Sequence, residues 1–445
     1  MHCHTCKTVE DVFRIVKDKE VSFIQIWFSD ILGVLKSFSI RPSELEEAMT
    51  EGMGFDGSSI EGFARIEESD MIAKPDPSTF RILPWRPEER PVARMFCDIL
   101  QPDTSPYPGD PRYALKRMLA RAAEKGYTYY LGPELEYFYF KSSAAPDIID
   151  EGGYFDAPPL DLANDLRRHT IFALEQMGVR IEYSHHEVAA SQHEIDMRYD
   201  EGLAMADKTM TLRATVKAIA MLNGVYGTFM PKPIFGINGS GMHTHQSLFK
   251  GNKNAFYDAK DQYHLSAEGK SFIAGLLKHA REITGICSQW VNSYKRLVPG
   301  YEAPVYISWA RRNRSALVRV PVYKPGKEVA TRCEYRAPDP ACNPYLAYAV
   351  MLAAGLKGIE GKYPLAEPVE VDIYHLSEAE RERHGIKELP GSLYEAVLEV
   401  ENSALVRETL GDHIFNKFLE NKKIEWDQFR THVSSYEIER YLPIL

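Results

Sequence analysis

The sequence predicts an α+β protein in two unequal parts, a small N-terminal unit and a large unit built on a predominantly antiparallel sheet. Three observations carry that reading. The 445 residues exceed what one ordinary hydrophobic core absorbs, at roughly 150 residues per domain. A polar, proline-rich stretch, QPDTSPYPGDPR at 101–112, interrupts the chain and reads as a linker. Downstream of it, helical and extended patterns alternate without an internal repeat or low-complexity tract. The boundary is set near 105, dividing residues 10–105 from 106–445.

In the smaller part, Val21 to Phe28 and Val34 to Ile40 read as short strands flanking Asp30-Ile31-Leu32-Gly33. Ser43 and Glu46 have capping-box spacing at the start of a helix. After the linker, Asp110 is the expected N-cap and Pro111 the first residue of a helix that ends at Gly126. Tyr127 to Phe140 reads as an aromatic-rich strand. Leu160–Met177, Leu203–Leu222 and Ser266–Ile286 are the expected helices, and 181–198, 226–248, 303–323 and 329–337 the expected extended segments.

Composition narrows the function. With 44% hydrophobic, 11% aromatic and 26% charged residues, the chain has the make-up of a packed protein. Its longest nearly apolar stretch, Tyr345–Leu356, is shorter than the ~20 residues that span a bilayer. A formal charge of −10, from 63 acidic and 53 basic residues, argues against nucleic acid and membrane as partners. Six cysteines and the lack of a basic segment followed by an apolar run lead to a cytoplasmic expectation. His2, Cys3, His4 and Cys6 are metal-capable donors, but no second pair at zinc-site spacing accompanies them.

Polar clusters at strand spacing point to a site. The period of two puts Glu134 and Glu136 on one face with Phe138 and Phe140, and a row that turns aromatic is a poor solvent edge. His185-His186-Glu187 through His193-Glu194 gathers three imidazoles and two carboxylates in ten residues. Asn238-Gly239-Ser240-Gly241-Met242-His243-Thr244-His245 joins a glycine turn, which lets a ligand approach the backbone, to two histidines on one strand face. Arg332-Cys333-Glu334-Tyr335-Arg336 sets a carboxylate between basic groups. If these segments converge, Glu134, Glu136, Glu187, Glu194 and Glu334 sum to −5, and two divalent cations leave −1. Oxygen-rich ligands favour Mg2+ or Mn2+ over Zn2+. The dense basic residues of 295–336, among them Arg296, Arg314, Arg319, Arg332 and Arg336, suit carboxylate and phosphate groups. Two metals beside arginines fit nucleotide phosphoryl transfer, and no GxxxxGK[ST] loop is present.

Longer motifs carry a resemblance. Phe55-Asp56-Gly57-Ser58-Ser59-Ile60, Gly132-Pro133-Glu134-Leu135-Glu136, His185-His186-Glu187-Val188-Ala189, the segments Lys232–His243 and Asn292–Pro304, and Asn343-Pro344-Tyr345-Leu346 occur in the order found in type I glutamine synthetases of bacteria and archaea. The resemblance spans about residue 10 to 445. It implies a β-grasp N-terminal domain, a catalytic half-barrel, and a homododecamer of two hexameric rings with active sites between subunits. The implied reaction uses ATP to phosphorylate the side-chain carboxylate of L-glutamate and ammonium as the nitrogen source.

Carried over by motif, Glu136, Glu187 and Glu194 resemble the ligands of one metal, and Glu134, His243 and Glu334 those of the other. Asn238, Gly239, Arg296, Glu302, Arg314 and Arg336 resemble the glutamate pocket. Glu182, Tyr199, His245, Ser247, Arg319 and Arg332 fall where the family contacts ATP. Asp56 of a neighbouring subunit, with Ser59 and Tyr154, resembles the ammonium site, and Glu302 sits in a segment resembling the flap over the acyl phosphate. Arg65 is the candidate for feedback inhibition by glutamine. The extra segment of the adenylylated subgroup is lacking, which argues against control through Tyr374. The rivals are a γ-glutamyl-polyamine synthetase, which the intact Asp56 segment disfavours, a metal-dependent hydrolase, and a silent relative, which would be expected to lose ligands.

Overall fold

The structure, a computed structural model, describes residues 6–58, 60, 70–87, 89–371, 373–383 and 385–445. Its first sheet contains β1 (Phe23–Ser29), β2 (Leu35–Ile40), β3 (Met53–Asp56), β4 (Asp70–Pro75), β5 (Arg81–Ile82) and β6 (Val92–Leu100). The order is β2-β1-β6-β4-β3, with β5 also on β6. β1 and β6 run parallel and the remaining pairs antiparallel. Alternate residues Ile24, Ile26 and Phe28 of β1 meet Val12, Ile15, Leu45 and Ala48 of two covering helices in one core, as the period of two requires.

The turn after β1 docks this unit on the second. Asp30 Oδ1 accepts the N–H groups of Leu32 (3.0 Å) and Val34 (2.9 Å), and Gly33 closes the turn at φ +80°. A Cβ there would come within 2.8 Å of Asn343 Cα, so only glycine allows this approach. Asn343 caps helix Pro344–Glu360 by accepting from Tyr345 and Leu346, and its Nδ2 donates to the carbonyls of Asp30 (3.0 Å) and Ile31 (3.2 Å). The capping box expected from Ser43 and Glu46 does not form. Pro42 opens a tight 3-10 turn, the Ser43 hydroxyl donates to Glu44, and Leu45–Thr50 starts without a side-chain cap.

The second sheet holds β7 (Thr128–Phe140), β8 (Ile181–His186), β9 (Gln192–Met197), β10 (Asp200–Glu201), β11 (Tyr226–Thr228), β12 (Met242–Lys250), β13 (Lys253–Asn254), β14 (Tyr306–Ala310), β15 (Ala316–Arg319), β16 (Cys333–Tyr335) and β17 (Lys387–Glu388). Its order is β17-β14-β15-β16-β12-β7-β9-β8, with short strands alongside β7 and β12. Only β14 and β15 pair in parallel among these strands, and the sheet curls as a half-barrel. On β7, Tyr129, Leu131, Leu135, Tyr137 and Tyr139 face a core shared with helices Gly202–Leu222 and Pro344–Glu360. Glu134 and Glu136 therefore face the other way. The apolar run at 345–356 is a buried helix core; among the described residues no helix is long and apolar enough to cross a membrane.

Asp110 and Pro111 start helix Pro111–Glu124 as the sequence predicts. Two other helices differ from expectation. The one expected from Leu160 begins at Asn164, because Asp161 accepts Ala163 N–H and binds Arg167, which keeps 157–163 in turns. The one expected over Ser266–Ile286 is broken at His279 (φ −98°, ψ 8°) into Ala267–Lys278 and Ala280–Cys287. Each half packs its own apolar face, so the hydrophobic rhythm continues through a break it cannot register.

Arg112 is the electrostatic bolt between the two units. Buried at 3% exposure, it binds Asp76 (2.7 Å) and Asp98 (2.5 Å) of the first unit and Asp207 (3.0 Å) of the second. Breaking a buried network by removing one partner strands the others, at a cost of about 3–5 kcal/mol. Arg112→Met is accordingly expected to lower the urea midpoint by that equivalent, whereas Arg14→Met, whose ion pair with Asp11 lies on the solvent side of its helix, is expected to change it little.

Candidate active site

Sheet register assembles the polar face. His243 of β12 stands opposite Glu134, and Glu194 of β9 opposite Glu136. Glu334 of β16 stands opposite both His245 and Arg319, and His185 opposite Glu194. Opposed residues of an antiparallel pair share a face. One cavity is thus lined by Glu134, Glu136, Glu187, Glu194, His243 and Glu334, together with Asn238, Gly239, Arg296, Glu302, Arg314, Arg319, Arg336 and Tyr154.

Within it, two groups of donors converge. The ligating atoms of Glu134, His243 and Glu334 all lie within 4.8 Å of one another, and so do those of His185, Glu187 and Glu194. His243 Nδ1 is 3.6 Å from Glu134 and 3.8 Å from Glu334, while its Nε2 is 3.9 Å from Glu136. Glu136 is thereby next to the His243 group, and its other oxygen accepts from Gly241 N–H (2.9 Å) and Gln192 Nε2 (3.1 Å). Gly241 permits this closeness, since a Cβ there would meet an Arg296 nitrogen at 2.6 Å. Arg296 is aimed by the carbonyls of Ala337 (2.8 Å) and Arg336 (3.1 Å).

The electrostatics describe a site short of positive charge. Burial, then the Glu187 charge, pushes Glu136 up to about 8 despite Arg296, Gly241 N–H and Arg336. Burial and the neighbouring Asp196, Glu136 and Glu134 push Glu194 well above the carboxylate range. Glu134 and Glu334 behave oppositely. Burial raises Glu134, but His245 at 2.7 Å and His243 hold it well below its ordinary value. Burial also raises Glu334, but Arg336, His245 and Arg319 bring it to about 2. Burial, with Arg336, lowers His243 to about 4, against the pull of Glu134 and Glu334. Its imidazole is therefore neutral at pH 7 and keeps a lone pair for coordination.

Acids forced to hold protons beside a neutral imidazole are the donor set a hard divalent cation satisfies, because the cation supplies the missing charge. Glu136 bears on stability in a definite direction. With its folded value near 8 against an ordinary 4.5, the native state binds more protons than the unfolded chain between those values, so stability falls as pH rises through that window. The metal-stripped protein is expected to melt progressively lower from pH 5 to pH 8. Excess Mg2+ should flatten that slope and Glu136→Gln should remove part of it.

A second groove shares the Glu134 wall and is lined by Glu182, Tyr199, His245, Ser247 and Arg332 with Tyr130 and Phe249. Arg332 Nε donates to His245 Nδ1 (3.1 Å), whose Nε2 meets Glu134, so the two cavities are joined by hydrogen bonds. Arg319 is not in this groove; its guanidinium binds Glu334 on the carboxylate side. Asp56 is exposed at the end of β3 and lines neither cavity, with Ser58 holding its carboxyl below the usual range. Ser59 and Arg65 lie outside the described residues. A larger cavity between the two units includes Asp76 and Asp207, but both acids are already paired with Arg112.

His185 and Gln192 had no role from sequence. His185 Nε2 is 3.0 Å from Glu187, and Gln192 bridges Glu136 to the Gly239 carbonyl (3.0 Å). The alternation that made Glu187 a candidate also puts His185 on its face, a signal present in the sequence.

A curled antiparallel sheet bearing carboxylate–histidine clusters, faced by arginines and opening on a second groove, defines a metal-dependent enzyme that handles phosphate and carboxylate groups. Residues 20–102 match the glutamine synthetase beta-Grasp domain and residues 108–441 the glutamine synthetase catalytic domain. The chain belongs to the glutamine synthetase family, with the β-grasp and half-barrel architecture that the motifs imply. It is 53% identical over 444 residues to the glutamine synthetase of Methanosarcina mazei, covering 99% of both chains. It is 50% identical over 439 residues to that of Thermotoga maritima, covering 98% of this chain and 99% of the relative. Among solved structures, a GmaS/ADP complex superposes with a TM-score of 0.88 at 31% identity, over 97% of this chain and 99% of that one. Plasmodium falciparum glutamine synthetase, solved by cryo-EM, gives 0.89 at 25% identity, over 99% and 100%.

Proposed function

We propose that this cleft carries out the ATP-dependent ligation of ammonia to L-glutamate, giving L-glutamine, ADP and phosphate through γ-glutamyl phosphate. The observation that supports it most is the convergence of six glutamates, Glu302 included, and His243 with four arginines in one cavity, the charge pattern that phosphoryl transfer to a carboxylate needs. Relatives at about half identity over nearly the full chain bear the glutamine synthetase name, which favours ammonia over a polyamine as acceptor. Glu136, Glu187 and Glu194 would hold one Mg2+ or Mn2+, and Glu134, His243 and Glu334 a second. Such ions, when bound, neutralise phosphate charge and act as Lewis acids.

The protein's own groups take the remaining tasks. Arg296, Arg314 and Arg336, with Asn238 and Gly239, bind glutamate and hold its carboxylates in place. Glu182, Tyr199, His245, Ser247 and Arg332 serve the nucleotide from the second groove, and Arg319 meets its phosphates from the carboxylate side. Asp56 of a neighbouring subunit, with Ser59 and Tyr154, attracts ammonium and accepts its proton. Glu302 closes the cleft against water; its Oε2 accepts from Asn238 Nδ2 at 3.3 Å. Arg65 mediates feedback by glutamine.

The working form is a cytoplasmic homododecamer of two hexameric rings, with the domain boundary at 105–106. The last turns support assembly: Val433, Tyr436, Leu442, Ile444 and Leu445 are all exposed, Leu445 at 98%, an apolar end that calls for a partner surface.

Purified protein given ATP, glutamate, Mg2+ and ammonium is expected to release phosphate and glutamine one for one, with polyamines inert. Phosphate release that needs no glutamate, or no glutamine at all, contradicts this function. Glu302→Ala should raise the phosphate-to-glutamine ratio.

A further inference from the structure

Resting on that reading of the cleft, we infer that Lys232 and Tyr301 form a cation–π latch that positions the Glu302 loop and thereby couples phosphate release to amide formation. Lys232 is 8% exposed, and its Nζ donates to the Ile237 carbonyl and lies 3.8 Å from the Tyr301 ring centroid. Among the described residues no carboxylate pairs with it, and the nearby charge of Arg296 is of the same sign. With a carbonyl and a ring as its partners among the described residues, this largely buried ammonium gives the ring contact unusual weight, because little water competes for the cation.

Each end of the latch is fixed. The Lys232 backbone is held on both sides by one side chain, as Lys232 N–H donates to Asn292 Oδ1 (2.7 Å) and Asn292 Nδ2 donates to the Lys232 carbonyl (3.0 Å). Ile237 precedes Asn238, whose Nδ2 meets Glu302. On the other side, Gly300 (φ +93°) and Glu302 (φ +57°) flank Tyr301 in left-handed conformations, which a non-glycine residue adopts only when surroundings enforce it. The Tyr374 hydroxyl donates to the Ala303 carbonyl (2.5 Å) beyond Glu302, leaving Tyr301 as the side chain that anchors the near end. Lys232 thus ties together the two loops that meet at the Asn238–Glu302 contact.

An open loop admits water, which cleaves the acyl–phosphate linkage of γ-glutamyl phosphate and returns glutamate and phosphate instead of glutamine. The test measures phosphate and glutamine together in the assembled enzyme, with saturating substrates, for Lys232→Met, Tyr301→Leu, Tyr301→Phe and the Lys232→Met/Tyr301→Leu pair. Tyr301→Leu and Lys232→Met are each expected to raise the phosphate released in excess of glutamine roughly tenfold, the opening factor that loss of a desolvated cation–π contact allows. The double variant should do no worse than either single one, and Tyr301→Phe, which keeps the ring face, should retain the parent ratio. A melting temperature held within the range of the parent enzyme accompanies the expected result for Tyr301→Leu. A ratio of one in both single variants, equal uncoupling by Tyr301→Phe, or additive effects in the pair overturns the latch. Failure of the parent enzyme to make glutamine overturns the underlying function instead.

Discussion

Like charge forced together is the constraint on which this structure turns. Five glutamates, on β7, on the β8–β9 hairpin and on β16, face one cavity, and the four that lie on strands cannot retreat to bulk water without breaking sheet register. Glu334 absorbs two guanidinium groups, those of Arg319 and Arg336, and Glu134 takes His245. Glu136 and Glu194 are left holding protons. Partial compensation of this kind is poor engineering for stability, since a buried charge without a full partner costs free energy. It is good engineering for a ligand that arrives charged.

Register transmits that constraint to the rest of the fold. A slip of one residue between β7 and β12 would carry Glu134 away from His243 and turn one strand's glutamates into the core. The opposite face of β7 prevents the slip, because Tyr129, Leu131, Leu135, Tyr137 and Tyr139 interlock with the helices behind the sheet. Packing on one side therefore fixes chemistry on the other. The Asp30–Gly33 turn, seated against Asn343, and the Arg112 network extend the same rigidity across the two units.

Much of this was legible in the sequence because strand periodicity is local. Two residues of spacing are enough to put Glu134 with Glu136, and His243 with His245. The linker announced itself through prolines, and Asp110-Pro111 through capping chemistry. Long-range facts were not legible by periodicity: that Glu194 faces Glu136, or that Arg319 turns to Glu334 rather than the neighbouring groove, depends on which strands become neighbours. The break at His279 and the unmade box at Ser43 show local signals overridden, in one case by packing of two separate apolar faces and in the other by Pro42 imposing a tighter turn. His185 shares alternation with Glu187, yet imidazole satisfies so many structural roles that spacing alone gave it none.

The proposed pair of cation sites is open to direct counting. Metal-stripped protein titrated with Mn2+ and followed by electron paramagnetic resonance should bind two ions per chain. Glu187→Gln should remove one of them and Glu334→Gln the other. Absence of saturable binding, or a stoichiometry that neither substitution alters, would contradict it.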